Sequence, residues 1–157
     1  MQQFKVTIKS SKGEIVLGNL GDVKKDATAI AAAKTVAGVD VKFDTIDENV
    51  TDKSHGMLAR VTVHGKIMKE NHKELKEVMQ WAVDKNGETQ YRTVIIEMLV
   101  AGGEEPYGYE IQQMFVEDYF ETYQREGEGA ASGSKAEDTF ELKLTQRQDF
   151  LGEIIPF

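Results

Sequence analysis

NHKELKEVMQWAVDKNGETQYRTVIIEMLV, residues 71–100, is the stretch in which the architecture shows itself. Leu75, Val78, Met79, Ala82 and Val83 recur at i, i+3, i+4, i+7 and i+8, the spacing that lays one apolar stripe along an amphipathic helix. Asn71 stands three residues before Glu74, which resembles a capping pair with Asn where Ser or Thr is usual. Asn86-Gly87 supplies a stop. The spacing therefore predicts a helix over residues 71–85, with Lys73, Lys76, Glu77, Gln80 and Asp84 on its outer face. Past Gly87 the pattern changes: residues 92–101 are β-branched and nearly continuously apolar, as in a central strand. One helix laid on a sheet is the implied layer arrangement.

Outward from that stretch, most of the chain alternates. Phe4, Val6 and Ile8 interleave with Lys5, Thr7 and Lys9, and residues 10–13 form a turn signal leading to a second short strand at 14–17. Residues 18–38 are alanine-rich with poor apolar spacing. Asp26 caps a candidate helix there, running to Ala37 with Gly38 as its stop, and an irregular excursion fits the same residues. Val39, Val41 and Phe43 mark a third strand, followed by a polar stretch over 44–56. In the next strand Met57, Ala59, Val61, Val63 and Ile67 take one face, and Leu58, Arg60, Thr62, His64 and Lys66 the other.

Downstream, residues 109–123 alternate for so long that a bulge is expected near Glu117-Asp118. Simple alternation puts Tyr109, Ile111, Phe115, Tyr119 and Tyr123 on one side, and Met114, Val116 and Phe120 on the other. Residues 125–138 are rich in Gly, Ala, Ser and Glu and read as a flexible loop. Phe140, Leu142 and Leu144 form a last strand, and an apolar tail follows at 150–157. The sum is a mainly β chain, a small barrel or sandwich of about seven strands with one flanking helix, in a single domain over residues 1–157.

Composition narrows the function. The 157 residues suffice for one core without staples, and with no cysteine, disulfides, thiolate metal sites and cysteine nucleophiles are excluded. Twenty-seven acids against 19 bases give a net charge of −8, which opposes phosphate neutralisation and so sequence-specific nucleic-acid binding. The amino terminus lacks the pattern of a signal peptide, and no apolar run reaches the roughly 18 residues that a membrane span needs. The expectation is a cytoplasmic origin without membrane insertion.

No catalytic or metal-binding arrangement emerges. His55, His64 and His72 lack the spacing that puts two imidazoles on one metal. Ser132 and Ser134 lie in the Gly/Ala/Ser loop, a poor place to hold a nucleophile, and Gly127, Gly129 and Gly133 do not spell a phosphate loop. Adjacent acids such as Glu104-Glu105 follow from the acidic composition. No enzyme activity, cofactor or metal is expected. The tyrosines Tyr119 and Tyr123 suit core packing or a subunit interface. In the tail, Phe150, Leu151, Ile154, Ile155 and Phe157 must either fold back on their own sheet or bury themselves in a neighbour.

The order of elements, carried by residues 71–100 and by YEIQQMFVEDYFETYQREGEGAASGSKAEDTFELKLTQ at 109–146, resembles the tail-tube family of contractile phage tails and the haemolysin-coregulated tube protein of type VI secretion. That resemblance implies a small β-barrel with one helix at its side. It implies a non-enzymatic subunit that assembles with itself into rings of six, stacked into a tube alongside other tail or secretion components. The subunit would then form part of a virion or a secreted tube. The excursion over 18–56 would meet the next ring, and an acidic lumen would repel passing DNA. The alternative is a barrel or sandwich that binds a small ligand or a partner protein. The family pattern offers no counterpart for the apolar tail.

Overall fold

The computed structural model describes residues 3–20, 35–45, 57–99, 105–124, 137–147 and 153–157. Eight strands form one antiparallel sheet: β1 (Gln3–Ser10), β2 (Gly13–Gly18), β3 (Val36–Thr45), β4 (Met57–Lys66), β5 (Arg92–Leu99), β6 (Tyr107–Thr122), β7 (Thr139–Gln146) and β8 (Ile154–Pro156). Their order across the sheet is β2-β1-β5-β6-β7-β4-β3, with β8 paired to β6. A 3-10 turn at Lys69–Asn71 leads into α1 (His72–Ala82), which packs on β6 and β2. The sheet curls until β3 returns to β1, and a Cβ at Gly18 would lie 3.1 Å from the Val36 side chain.

The mainly β reading with one helix holds, and seven strands fall where alternation places them. The eighth is the apolar tail. The hairpin forms as expected, with Val6, Ile8, Ile15 and Leu17 buried on the inner face. Strand β5 is central, between β1 and β6. The alanine-rich stretch through residue 34, the loop through residue 136, His55 and the tail residues Phe150 and Leu151 lie outside the described residues.

Strand β6 departs from simple alternation twice. A bulge at Glu117 shifts the register against β7, so that Val116 faces Leu144 and Asp118 faces Lys143. A second irregularity, which the sequence reading missed, lies at Gln113, whose φ of 59° breaks the ladder to β5 between Arg92 and Val94. Each extra residue flips the parity of the side chains that follow. The inner face therefore carries Tyr109, Ile111, Met114, Val116 and Tyr119, all in or against the core. Phe115, assigned by alternation to the tyrosine side, instead stacks edge-on against Tyr91. Met114 and Val116 move to the core side.

The helix is shorter than expected and rolled. Leu75, Val78 and Trp81 are buried, while Met79 is 50% exposed and Val83, beyond the last helical turn, is 62% exposed. The bury-and-expose boundary follows three-residue steps, because the indole of Trp81 fills the space beneath the helix. Its Nε1–H donates to the Gln90 carbonyl at 2.8 Å. The Asn71–Glu74 capping pair does not form. Asn71 is buried and uses its side chain to accept from the Met68 N–H and to donate to the Lys66 carbonyl, fastening the helix to the end of β4.

Gly38 is likewise not a helix stop. It sits in β3 at a register shift, where a Cβ would come within 2.5 Å of the His64 ring. On β4 the alternation holds for Ala59, Val61 and Val63, but Met57 is exposed and Leu58 buried at the strand's start.

Truncating Leu75 to Ala should cost about 2–4 kcal/mol in chemical denaturation, whereas Met79→Ala should stay within about 0.5 kcal/mol. Equal costs would show that the roll of the helix is wrong.

Candidate assembly surfaces

Exposed apolar side chains among the described residues include groups at both ends of β6. At the end nearer Thr122, an open groove runs between α1 and the β6–β7 hairpin, lined by His72, Lys76, Met79, Glu121, Tyr123 and Asp138 among others. Tyr123 is 64% exposed, and its hydroxyl donates to the Glu121 carboxylate at 3.1 Å. Tyr119, earlier on the same face of β6, packs half-buried against the core. Its hydroxyl has no hydrogen-bond partner among the described residues, and burial, reinforced by Glu121, pushes the phenol up. The two candidate tyrosines thus divide: one is largely an inward residue and one is surface.

At the other end, β8 lies against the first residues of β6. Tyr109 faces Pro156, Glu110 faces Ile155 and Ile111 faces Ile154. Gly108 and Phe157 exchange N–H···O bonds of 2.9 and 3.0 Å, and the Gln112 N–H donates to the Glu153 carbonyl at 3.0 Å. The tail therefore folds back on its own sheet over residues 153–157. Ile154 turns inward against the core, while Ile155 and Phe157 remain exposed. A Cβ at Gly108 would lie 1.7 Å from the Ile96 carbonyl oxygen, so only glycine lets β6 approach β5 here. One outward row crosses five strands at this end of the sheet: Val16, Thr7, Ile95, Glu110 and Ile155.

Holding the helix, and with it the groove, is a polar cluster at the far end of α1. Asp84, placed on the outer face by the helical spacing, has a side chain only 7% exposed. One carboxylate oxygen accepts from the Thr89 hydroxyl at 2.7 Å and lies 3.5 Å from Arg92 and 3.4 Å from Lys12; the other accepts from the Asn86 N–H. The Thr89 hydroxyl and the Asn86 N–H, aided by Lys12, hold the Asp84 carboxyl down at about 2. Arg92 lies 5.3 Å from the Trp81 ring centroid and donates through Nε to the Thr89 carbonyl. Burial lowers its pKa, and Asp84 opposes that shift. The sequence offered no sign of this cluster, because its members are spread from Lys12 to Arg92.

The histidines do not converge. His64 is exposed on β4 opposite Glu141, and His72 is exposed in the first turn of α1. Among the described residues no group of three His, Cys, Asp or Glu side chains is arranged to hold a metal, and no helix is long and apolar enough to cross a membrane.

No protein-family model matches the sequence, and no curated protein is detectably similar to it. Solved structures do match in fold. An Hcp protein aligns over 100% of this chain and 97% of its own, at 11% identity and a TM-score of 0.55. Hcp1 from Salmonella typhimurium aligns over 98% and 92%, at 14% identity and a TM-score of 0.50. A chain of the sheath–tube complex of the PVC extracellular contractile injection system aligns over 99% and 88%, at 12% identity and a TM-score of 0.49. The first two alignments show that this chain has the Hcp fold.

Two outcomes follow from this geometry. Deleting residues 153–157 strips the β6 edge from Gly108 to Gln112, so the melting temperature of the subunit itself should fall. An unchanged melting temperature would mean that β8 contributes nothing to the fold. Asp84 titrates below its ordinary value of 3.8, so its contribution to stability is complete above about pH 4 and fades as pH falls towards 2. Denaturation between pH 5 and about 2 should therefore show a steeper loss in the native protein than in Asp84→Asn. Parallel curves would remove Asp84 from that role.

Proposed function

We propose that this chain is the tube-forming subunit of a contractile injection apparatus, a one-domain building block that assembles into rings and stacks them. The observation that carries the reading is the Hcp fold, matched over 100% of this chain and 97% of the Hcp chain. Uncovered apolar side chains at both ends of the sheet suit a subunit that buries surface only on assembly.

On this reading the protein is structural and performs no catalytic step. Its partners are further copies of itself, in rings of six, and the other components of the apparatus. Tyr123, Ile155 and Phe157, together with Phe150 and Leu151, are the proposed interface residues, with Tyr119 supporting them from within. Of residues 18–56 those outside β3, together with residues 125–138, are the segments proposed to reach neighbouring subunits. The small-ligand form of the alternative needs an unfilled interior. Trp81, Ile8, Leu17, Ile96, Ile111 and Met114 all fill this one, each less than 2% exposed.

Sedimentation velocity with negative-stain electron microscopy tests the proposal. Rings of uniform diameter, and tubes at higher concentration, are expected. A monomer at every concentration up to the millimolar range sinks it.

A further inference from the structure

Strands β7 and β8 run in the same direction along one edge of β6, so β8 takes up the pairing where β7 leaves it. Gln146, the last β7 residue in register, lies opposite Met114, and Ile154 of β8 lies opposite Ile111. On β6 those positions are three steps apart, about 10 Å along the strand. From Gln146 to Ile154 the chain takes eight steps, a contour of about 26–29 Å when extended. Continuing the ladder would need less than half of that length.

The pairing on each side of this gap stands without the other. The Gln113 carbonyl accepts from the Arg147 N–H, and the Gln146 side chain binds the Gln112 carbonyl and the Ala59 N–H, so β7 is fastened up to its end. Strand β8 is held by bonds of its own. Gly108 and Phe157 exchange two, the Gln112 N–H donates to the Glu153 carbonyl, and the Glu153 N–H donates to the Gln112 side-chain oxygen. Ile154 adds one inward side chain. Residues 153–157 can therefore leave β6 as a unit without tearing β7.

We infer that β8 is exchanged in the assembly: residues 153–157 of one copy pair with the Gly108–Gln112 edge of the next, which passes its own tail to a third. The inference rests on the tube reading and adds to it what ties the copies together. The ladder itself identifies the occupant, because the segment that fits this edge is the one seen on it, and every copy carries that segment. Exchange re-forms each bond of β8 in the neighbour, so it sacrifices no pairing, and the eight-step connection supplies the reach. Within an assembly the neighbouring edge is also held at high local concentration. The seam favours the exchanged form over the closed one. Tyr107, Ile155 and Phe157 are exposed in the single subunit, and a neighbour tied on through β8 comes to lie against them. Donation in one direction extends to further copies, whereas a reciprocal swap would stop at two.

Paired cysteines test this on the full chain, which has no cysteine of its own. Glu110 and Ile155 stand directly opposite each other, and Cα atoms so placed are about 4.5–5.5 Å apart, within reach of a disulfide. The double variant Glu110→Cys with Ile155→Cys, assembled and then oxidised, should run as a ladder of covalent multimers on a denaturing gel without reductant. Tails closed on their own subunits would leave a single-chain band. In a second arm, the two single variants are mixed in equal amounts before assembly. Random mixing should then put about half of the chains into covalent dimers, and neither variant alone should cross-link. Both positions are at least partly exposed, and melting curves check that each variant is folded.

Rings or tubes whose subunits are cross-linked only within themselves overturn the inference and leave the tube reading standing. Assemblies of the double variant that hold no disulfide, or that give covalent dimers and nothing larger, overturn it in the same way. A covalent ladder without rings keeps the exchange and overturns the tube reading. A chain monomeric throughout, with its tail cross-linked to its own β6, overturns both.

Discussion

Everything in this fold hangs on the pairing capacity of one strand. Strand β6 gives one edge to β5 and divides the other between β7 and β8, so it alone joins the two halves of the curled sheet. A regular strand of its length would send its second half out of step with the core, because the sheet curls while the side-chain period stays at two. The bulges at Gln113 and Glu117 absorb that conflict. They keep Ile111, Met114, Val116 and Tyr119 facing inward, though no single alternating register contains all four. The extra residues are also tied down: the Gln113 carbonyl accepts from the Arg147 N–H, and the Glu117 carboxylate accepts from the Thr145 hydroxyl.

A second tie works at the same crossing. Gln146, at the end of β7, is buried and reaches both ways, accepting from the Ala59 N–H on β4 and donating to the Gln112 carbonyl on β6. It bridges the gap where β7 has ended and β8 has taken over. Buried backbone groups left open there would each cost about 1–3 kcal/mol, so a single amide side chain stands in for a missing piece of ladder.

Much of this was legible in the sequence, and the failures are instructive. Local periodicity placed seven strands and the helix, since each of those elements carries its own apolar pattern. It placed the Glu117 bulge from strand length alone. It could not see the Gln113 bulge, because a positive φ at a glutamine leaves no compositional mark. Met79 and Val83 obeyed the helical rule and are nonetheless exposed, since the rule describes an apolar face and not how far a neighbouring sheet covers it. Trp81 decided that roll and belongs to no repeat. The tail was visible as an apolar cluster, but its docking onto Gly108 and Gln112 is a long-range pairing that three residues of strand cannot announce. The assembly surfaces were half legible: Tyr123, Ile155 and Phe157 stood out as apolar residues without a partner, whereas their place at the two ends of β6 appears only once the strand pairing is known.

The placement of β8 also bears on how the chain comes to be made. The β6 edge from Gly108 to Gln112 finds its partner in residues 153–157, some of the last to leave the ribosome among those described. At about 5–20 residues per second, the roughly 40 residues between them take a few seconds to synthesise. Throughout that interval the central strand of a half-built sheet presents open N–H and C=O groups, the surface on which nascent chains join one another by mistake. In a polysome, where several copies emerge side by side, the timing of those five residues sets the window in which premature association competes with folding.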